Sequence, residues 1–178
     1  MTARPAVLFV CVKNAGKSQM AAALMRRRAG DAVDVASAGT RPGTSVNALS
    51  AQSLTELGLD ITGEVPRALT HAMLTAADVV VVLGRDATVD ALPGPRFETW
   101  DTDEPSDRGI DGIARMRLVR DDIAARVDTL AAALLPGGDL SKLTTPTHVG
   151  GIDRLLSPAA LTSTRRAAGV GNPRRELR

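Results

Sequence analysis

The chain has one cysteine, no tyrosine, two phenylalanines and one tryptophan among its 178 residues. A lone Cys11 excludes an intramolecular disulfide and any relay of thiols within the chain. With so few aromatics, the core has to be built from Ala, Val and Leu. No apolar run approaches the roughly 18 residues of a membrane span, and the first residues lack the charged-then-apolar layout of a signal peptide. A cytoplasmic protein without membrane contact is therefore expected. Lysine is scarce as well, with 3 Lys against 19 Arg. The net charge of +2 hides an asymmetry. Residues 1–135 carry 15 basic and 17 acidic side chains, while residues 136–178 carry 7 and 3. The basic excess lies in the tail, so the folded part has no nucleic-acid footprint. No metal site is expected.

The rest of the sequence alternates strand and helix patterns. Residues 6–11 form a short continuous apolar run, as in a strand buried on both faces. A helix over 18–29 follows, with Met20, Ala21, Leu24 and Met25 on one face and three arginines before Gly30. A strand is expected over 33–37, a helix over 45–57 ended by Gly58, and a short helix over 70–76. The apolar run 79–83 and residues 96–99 complete the strands. A long helix over 113–135 carries Ile113, Met116, Val119, Ile123, Val127, Leu130 and Leu134 at spacings of three and four. This order specifies an α/β fold with a parallel sheet and right-handed crossovers. Residues 100–112 are polar, acidic and irregular, which marks a candidate functional loop. The expected division is a catalytic domain over 1–136 and a basic, flexible or partly helical tail over 137–178. Short helical pieces are expected at 152–156 and 159–168, and the tail is available for homodimer contacts.

The chemistry is concentrated in Cys11-Val12-Lys13-Asn14-Ala15-Gly16-Lys17-Ser18. A strand ending at Cys11, a short loop and a helix beginning near Ser18 bring successive backbone N–H groups onto one anion, and the helix N-terminus adds its positive end. Gly16 permits close approach and Lys17 adds a full charge. The same field favours a Cys11 thiolate. Ser18 is placed to donate to that sulfur, and Asn14 to brace the loop. Two of the three lysines sit here, in a chain that elsewhere uses Arg. Against this stands an inert strand-end cysteine beside a solvated lysine. A nucleotide-binding loop, Gly-x-x-x-x-Gly-Lys-Ser, fits except that Cys11 replaces the first glycine, a position that needs backbone freedom. The second apolar strand is also followed by Gly84-Arg85-Asp86, which misplaces the magnesium-binding acid.

The loop, Gln19-Met20-Ala21, Ser37-Ala38-Gly39-Thr40, the segment 77–84 and the late acid–Pro pair occur together in this order. Over residues 5–135 the chain resembles the low-molecular-weight protein-tyrosine phosphatases and their arsenate reductase relatives. The resemblance implies a four-stranded parallel sheet flanked by helices, with the loop at the carboxyl end of the first strand. It also implies a nucleophile, Cys11, and a general acid before a proline, here Glu104 with Asp103 beside it. Two positions depart from the family pattern. Lys17 replaces the loop arginine, exchanging a two-point grip for a point charge. Glu104 replaces aspartate, so the acid is one methylene longer.

Two activities share such a loop. A phosphatase needs a cleft for an aryl leaving group, and here Ser106 stands where the phosphatases place Tyr; Trp100 could supply one wall. Arsenate needs no such cleft. The resemblance therefore points to the single-cysteine arsenate reductases or arsenate-thiol transferases. In these an external thiol, mycothiol or glutathione, attacks the arseno-cysteine adduct, and a mycoredoxin- or glutaredoxin-type partner follows. The Arg- and Ala-rich composition tilts this toward mycothiol. A low-molecular-weight phosphatase and a non-catalytic phosphate or oxyanion binder remain as alternatives.

Overall fold

A computed structural model describes residues 4–142. Four strands, β1 (Ala6–Cys11), β2 (Asp34–Gly39), β3 (Val79–Leu83) and β4 (Arg96–Trp100), form one sheet in the order β2-β1-β3-β4. Every pairing is parallel, with Cys11 beside Gly39 and Phe9 beside both Ser37 and Val81. This is the four-stranded parallel sheet expected. Chain direction changes side between β1 and β3, so a ligand site belongs at the carboxyl end of β1.

Four helices cover the sheet: α1 (Lys17–Ala29), α2 (Ala48–Thr55), α3 (His71–Ala76) and α4 (Gly112–Leu134). Alternation along β1 divides the core in two. Val7, Phe9 and Cys11 face α1, α2 and α4, where Met20, Leu24, Met25, Leu54, Val119, Ile123 and Leu130 fill the interior. Leu8 and Val10 face α3 and join Leu74, Val80, Val82 and Phe97. All five residues of β3 are buried, and each such Val or Leu contributes about 1.5–3 kcal/mol. Asp78 ties β3 to β1, since its carboxylate accepts the Ala6 N–H at 2.8 Å.

Several boundaries differ from the sequence expectation. β2 runs to Gly39, two residues beyond 37. α2 is shorter than 45–57 because Asn47 is its cap, accepting the Ser50 N–H, and the Asn47 N–H is bonded to the Ala15 carbonyl of the neighbouring loop. Residues 100–112 contain one 3-10 turn, Pro105–Arg108. After α4, a 3-10 turn at Leu140–Lys142 ends the described region. The helical pieces expected at 152–156 and 159–168 lie outside the described residues. No helix among the described residues is long and apolar enough to cross a membrane.

Candidate active site

The loop after β1 has its shape imposed from outside. The carbonyls of Cys11, Val12, Lys13 and Ala15 accept the N–H groups of Thr40, Arg41, Gly43 and Asn47, at 3.1, 2.8, 2.9 and 2.7 Å. A trans peptide sets C=O and the next N–H on opposite sides. Pulling these carbonyls outward therefore turns the N–H groups of Val12, Lys13, Asn14 and Gly16 inward. α1 begins directly afterwards with no side-chain cap, so its first N–H groups also face the loop's concavity. Gly39 makes the arrangement fit. A Cβ there would lie 2.8 Å from the Val12 carbonyl oxygen and 2.9 Å from the Asn14 nitrogen. Gly16 makes room for α2 instead, because its Cβ would press on Ser50 Oγ at 3.0 Å.

Asn14 is the brace. It adopts φ 50°, the left-handed region that Asn tolerates better than most residues. Its fully buried amide donates to Ser18 Oγ at 2.8 Å and Ser37 Oγ at 3.0 Å, and accepts from Gln19 Nε2 and the Arg67 N–H. Its backbone N–H donates to Cys11 Sγ at 3.2 Å. The Asn14 side chain thus braces the loop, while its backbone N–H meets the sulfur. Ser18 Oγ lies 3.0 Å from Cys11 Sγ. Because Asn14 already donates into Ser18 Oγ, the single hydroxyl proton of Ser18 is free to point at the sulfur. Two hydrogen-bonding groups thus converge on the sulfur beside the start of α1.

Above this loop lies a cleft of about 520 Å³, lined by Cys11, Val12, Lys13, Ala15, Gly16 and Lys17 from the loop and by Glu104 and Arg115 opposite. Lys17 extends over Gly84 and bonds Glu104 Oε1. Arg115 Nη2 stands 3.9 Å from the other oxygen of the same carboxylate. Glu104 therefore faces the nucleophile's cleft, as expected. Asp103 does not. Adjacent residues in extended chain point to opposite sides, and Asp103 turns away into a two-point ion pair with Arg108, both contacts at 2.8 Å. The hydrogen-bonded Arg108 guanidinium holds its carboxyl below the usual aspartate range, which suits a structural anion rather than a proton donor. Asp101 is held likewise by Arg85. Trp100 is no wall of the cleft. It is buried, tilted against Phe9 at 5.8 Å, with its indole N–H on Glu98.

Sequence reasoning missed Arg115, Asn47 and Ser50 in this cleft. Asn47 was legible as Asn before a helical pattern, a cap signature, whereas Arg115 carried no signal of its own. None of the described residues lining the cleft is aromatic. Among the described residues, no group of three or more His, Cys, Asp or Glu is placed to hold a metal ion.

Comparison with known proteins agrees with this geometry. Residues 6–137 match the model of the low molecular weight phosphotyrosine protein phosphatase family. An arsenate reductase from Halalkalibacterium halodurans is 34% identical over 131 residues, spanning 70% of this chain and 94% of that one. A solved thioredoxin-dependent arsenate reductase of Corynebacterium glutamicum is 32% identical with a TM-score of 0.62. That match covers 72% of this chain and 61% of the longer relative. A solved arsenate reductase in its phosphate-binding state is 26% identical with a TM-score of 0.63, covering 74% and 99%.

Proposed function

Because the chain belongs to the low molecular weight phosphotyrosine protein phosphatase family, an enzyme family whose members similar to this chain include arsenate reductases, we propose that it is an arsenate reductase or arsenate-thiol transferase that borrows its thiol. The observation that carries this is Cys11 Sγ, held between the Asn14 N–H and Ser18 Oγ beneath an inward-facing row of N–H groups. Such a floor accepts any tetrahedral oxyanion. The cleft above it offers no aromatic wall to an aryl group.

In the first step the Cys11 thiolate bonds to arsenic and the hydroxyl of monohydrogen arsenate leaves as water. Glu104 gives that oxygen a proton, with its carboxyl handed over by Lys17 once the anion is seated. Backbone N–H groups and Lys17 carry the charge on the remaining oxygens. An external thiol then attacks arsenic, its S–As bond replaces the Cys11–arsenic bond, and its proton returns to the site. Transfer alone leaves arsenic at As(V). A second thiol completes reduction, as two thiols become a disulfide and As(V) becomes As(III). One cysteine cannot supply both thiols, so a low-molecular-weight thiol such as mycothiol or glutathione, and its redoxin, are the proposed co-substrate and partner.

The test is purified full-length protein given arsenate with mycothiol and mycoredoxin, or glutathione and glutaredoxin, alongside an aryl phosphate. Arsenite formation that Cys11→Ser abolishes supports the proposal. Aryl phosphate hydrolysis without arsenite would make the protein a phosphatase.

A further inference from the structure

Lys17 is a point charge where the family pattern has a planar fork, yet the cleft contains a guanidinium. Arg115 reaches it from the first turn of α4, across from the loop. Two details of its position are unusual. Its Nη2 approaches Glu104 only to 3.9 Å, whereas Arg108 holds Asp103 at 2.8 Å on both sides. Its Nε is buried and has no hydrogen-bond partner among the described residues. Nε and Nη2 are the two donors of one edge of the guanidinium, the edge that grips a carboxylate, phosphate or arsenate in parallel bonds. Arg115 lines the cleft with one of these donors loosely paired and the other out of water with nothing to bond, a costly arrangement for a native side chain.

We propose that Arg115 is the second oxyanion-binding cation of this cleft and supplies the two-point grip that Lys17 cannot. This rests on reading the cleft as an oxyanion site. Glu104 then has two states. Before the anion binds, its carboxylate is shared by Lys17 and Arg115. A tetrahedral dianion on the loop draws both cations, because it carries more charge and offers Arg115 two acceptors. Glu104 is left facing the ligand without its two cation partners. Substrate entry and release of Glu104 from its cations are thus one event, driven by exchange of cations between two anions.

The experiment measures inorganic phosphate binding by calorimetry on full-length Cys11→Ser protein, so that no turnover is needed. Arg115→Gln should weaken phosphate binding by roughly tenfold or more, the size of a lost charged hydrogen bond, and Arg115→Lys should restore part of it. Glu104→Gln should tighten binding by freeing both cations, and this gain should shrink when Arg115→Gln is also present. A purely structural Arg115 would alter melting temperature and leave the two effects additive. Phosphate binding unchanged by Arg115→Gln, or additive effects in the cycle, would overturn the proposal and leave the oxyanion reading intact. If the parent Cys11→Ser protein binds neither phosphate nor arsenate, the oxyanion reading falls and Arg115's role with it.

Discussion

Ser18 Oγ stands 3.0 Å from Cys11 Sγ and receives the Asn14 amide proton at 2.8 Å, so its own proton is free to point at the sulfur. The nucleophile is thereby positioned by the side chains of Ser18 and Asn14. Ser18→Ala removes one of two donors to the thiolate. Alkylation of Cys11 by iodoacetamide at neutral pH should slow by roughly tenfold, the loss expected for a hydrogen bond to a charged group. An unchanged rate would show that Ser18 only fills space.

Asn14→Ala should be among the most destabilising single changes in the loop. It leaves the Ser18 and Ser37 hydroxyls, the Gln19 amide and the Arg67 N–H without their partner, and puts alanine at φ 50°. Lost buried hydrogen bonds and backbone strain together should cost about 2–4 kcal/mol, read from chemical denaturation.

Gly39→Ala tests the loop's shape at a distance from the chemistry. The added methyl would sit at 2.8–3.0 Å from the backbone of Val12, Lys13 and Asn14, which cannot yield without moving the inward N–H groups. Arsenate turnover should fall by roughly a hundredfold, as for displacements near an ångström elsewhere. Circular dichroism should still report a folded sheet.

The two acidic candidates separate cleanly. Glu104→Gln should lower turnover by about 10²–10⁴, the usual worth of a positioned general acid, whereas Asp103→Asn should leave kcat within a few-fold. Asp103 matters for the loop instead. Its lowered carboxyl, like that of Asp101, favours the folded state at pH values above the ordinary aspartate range. That contribution is lost as pH falls through the lowered folded values, below about 4. Proteolysis of residues 101–109 should therefore rise on acidification, and Asp103→Asn should reproduce the effect at neutral pH.

The strands were readable because continuous apolar runs such as Val79–Leu83 admit few alternatives. The nucleophilic loop was readable because a strand, a glycine-containing turn and a helix start occur in consecutive residues. What failed needed knowledge of direction. Asp103 and Glu104 are equivalent by composition, and only the path of an extended chain decides which carboxylate meets Lys17. Ser45 and Asn47 both qualify as caps, and the Asn47 N–H bond to the Ala15 carbonyl decides for the later one. Arg115 sits beside the apolar stripe of α4, so it gained meaning only when α4 was found to run past the loop. Trp100, open to either a wall or a core role by sequence, is core because Phe9 and Glu98 claim its two ends.

Arsenate reduction at Cys11 is tested most directly by arsenite production from the full-length protein supplied with arsenate, a low-molecular-weight thiol and the matching redoxin. Arsenite should form only with the thiol, disappear in Cys11→Ser and persist in Asp103→Asn. Arsenite formation that survives Cys11→Ser, or its absence with either thiol system while aryl phosphate is hydrolysed, would contradict arsenate reduction at Cys11.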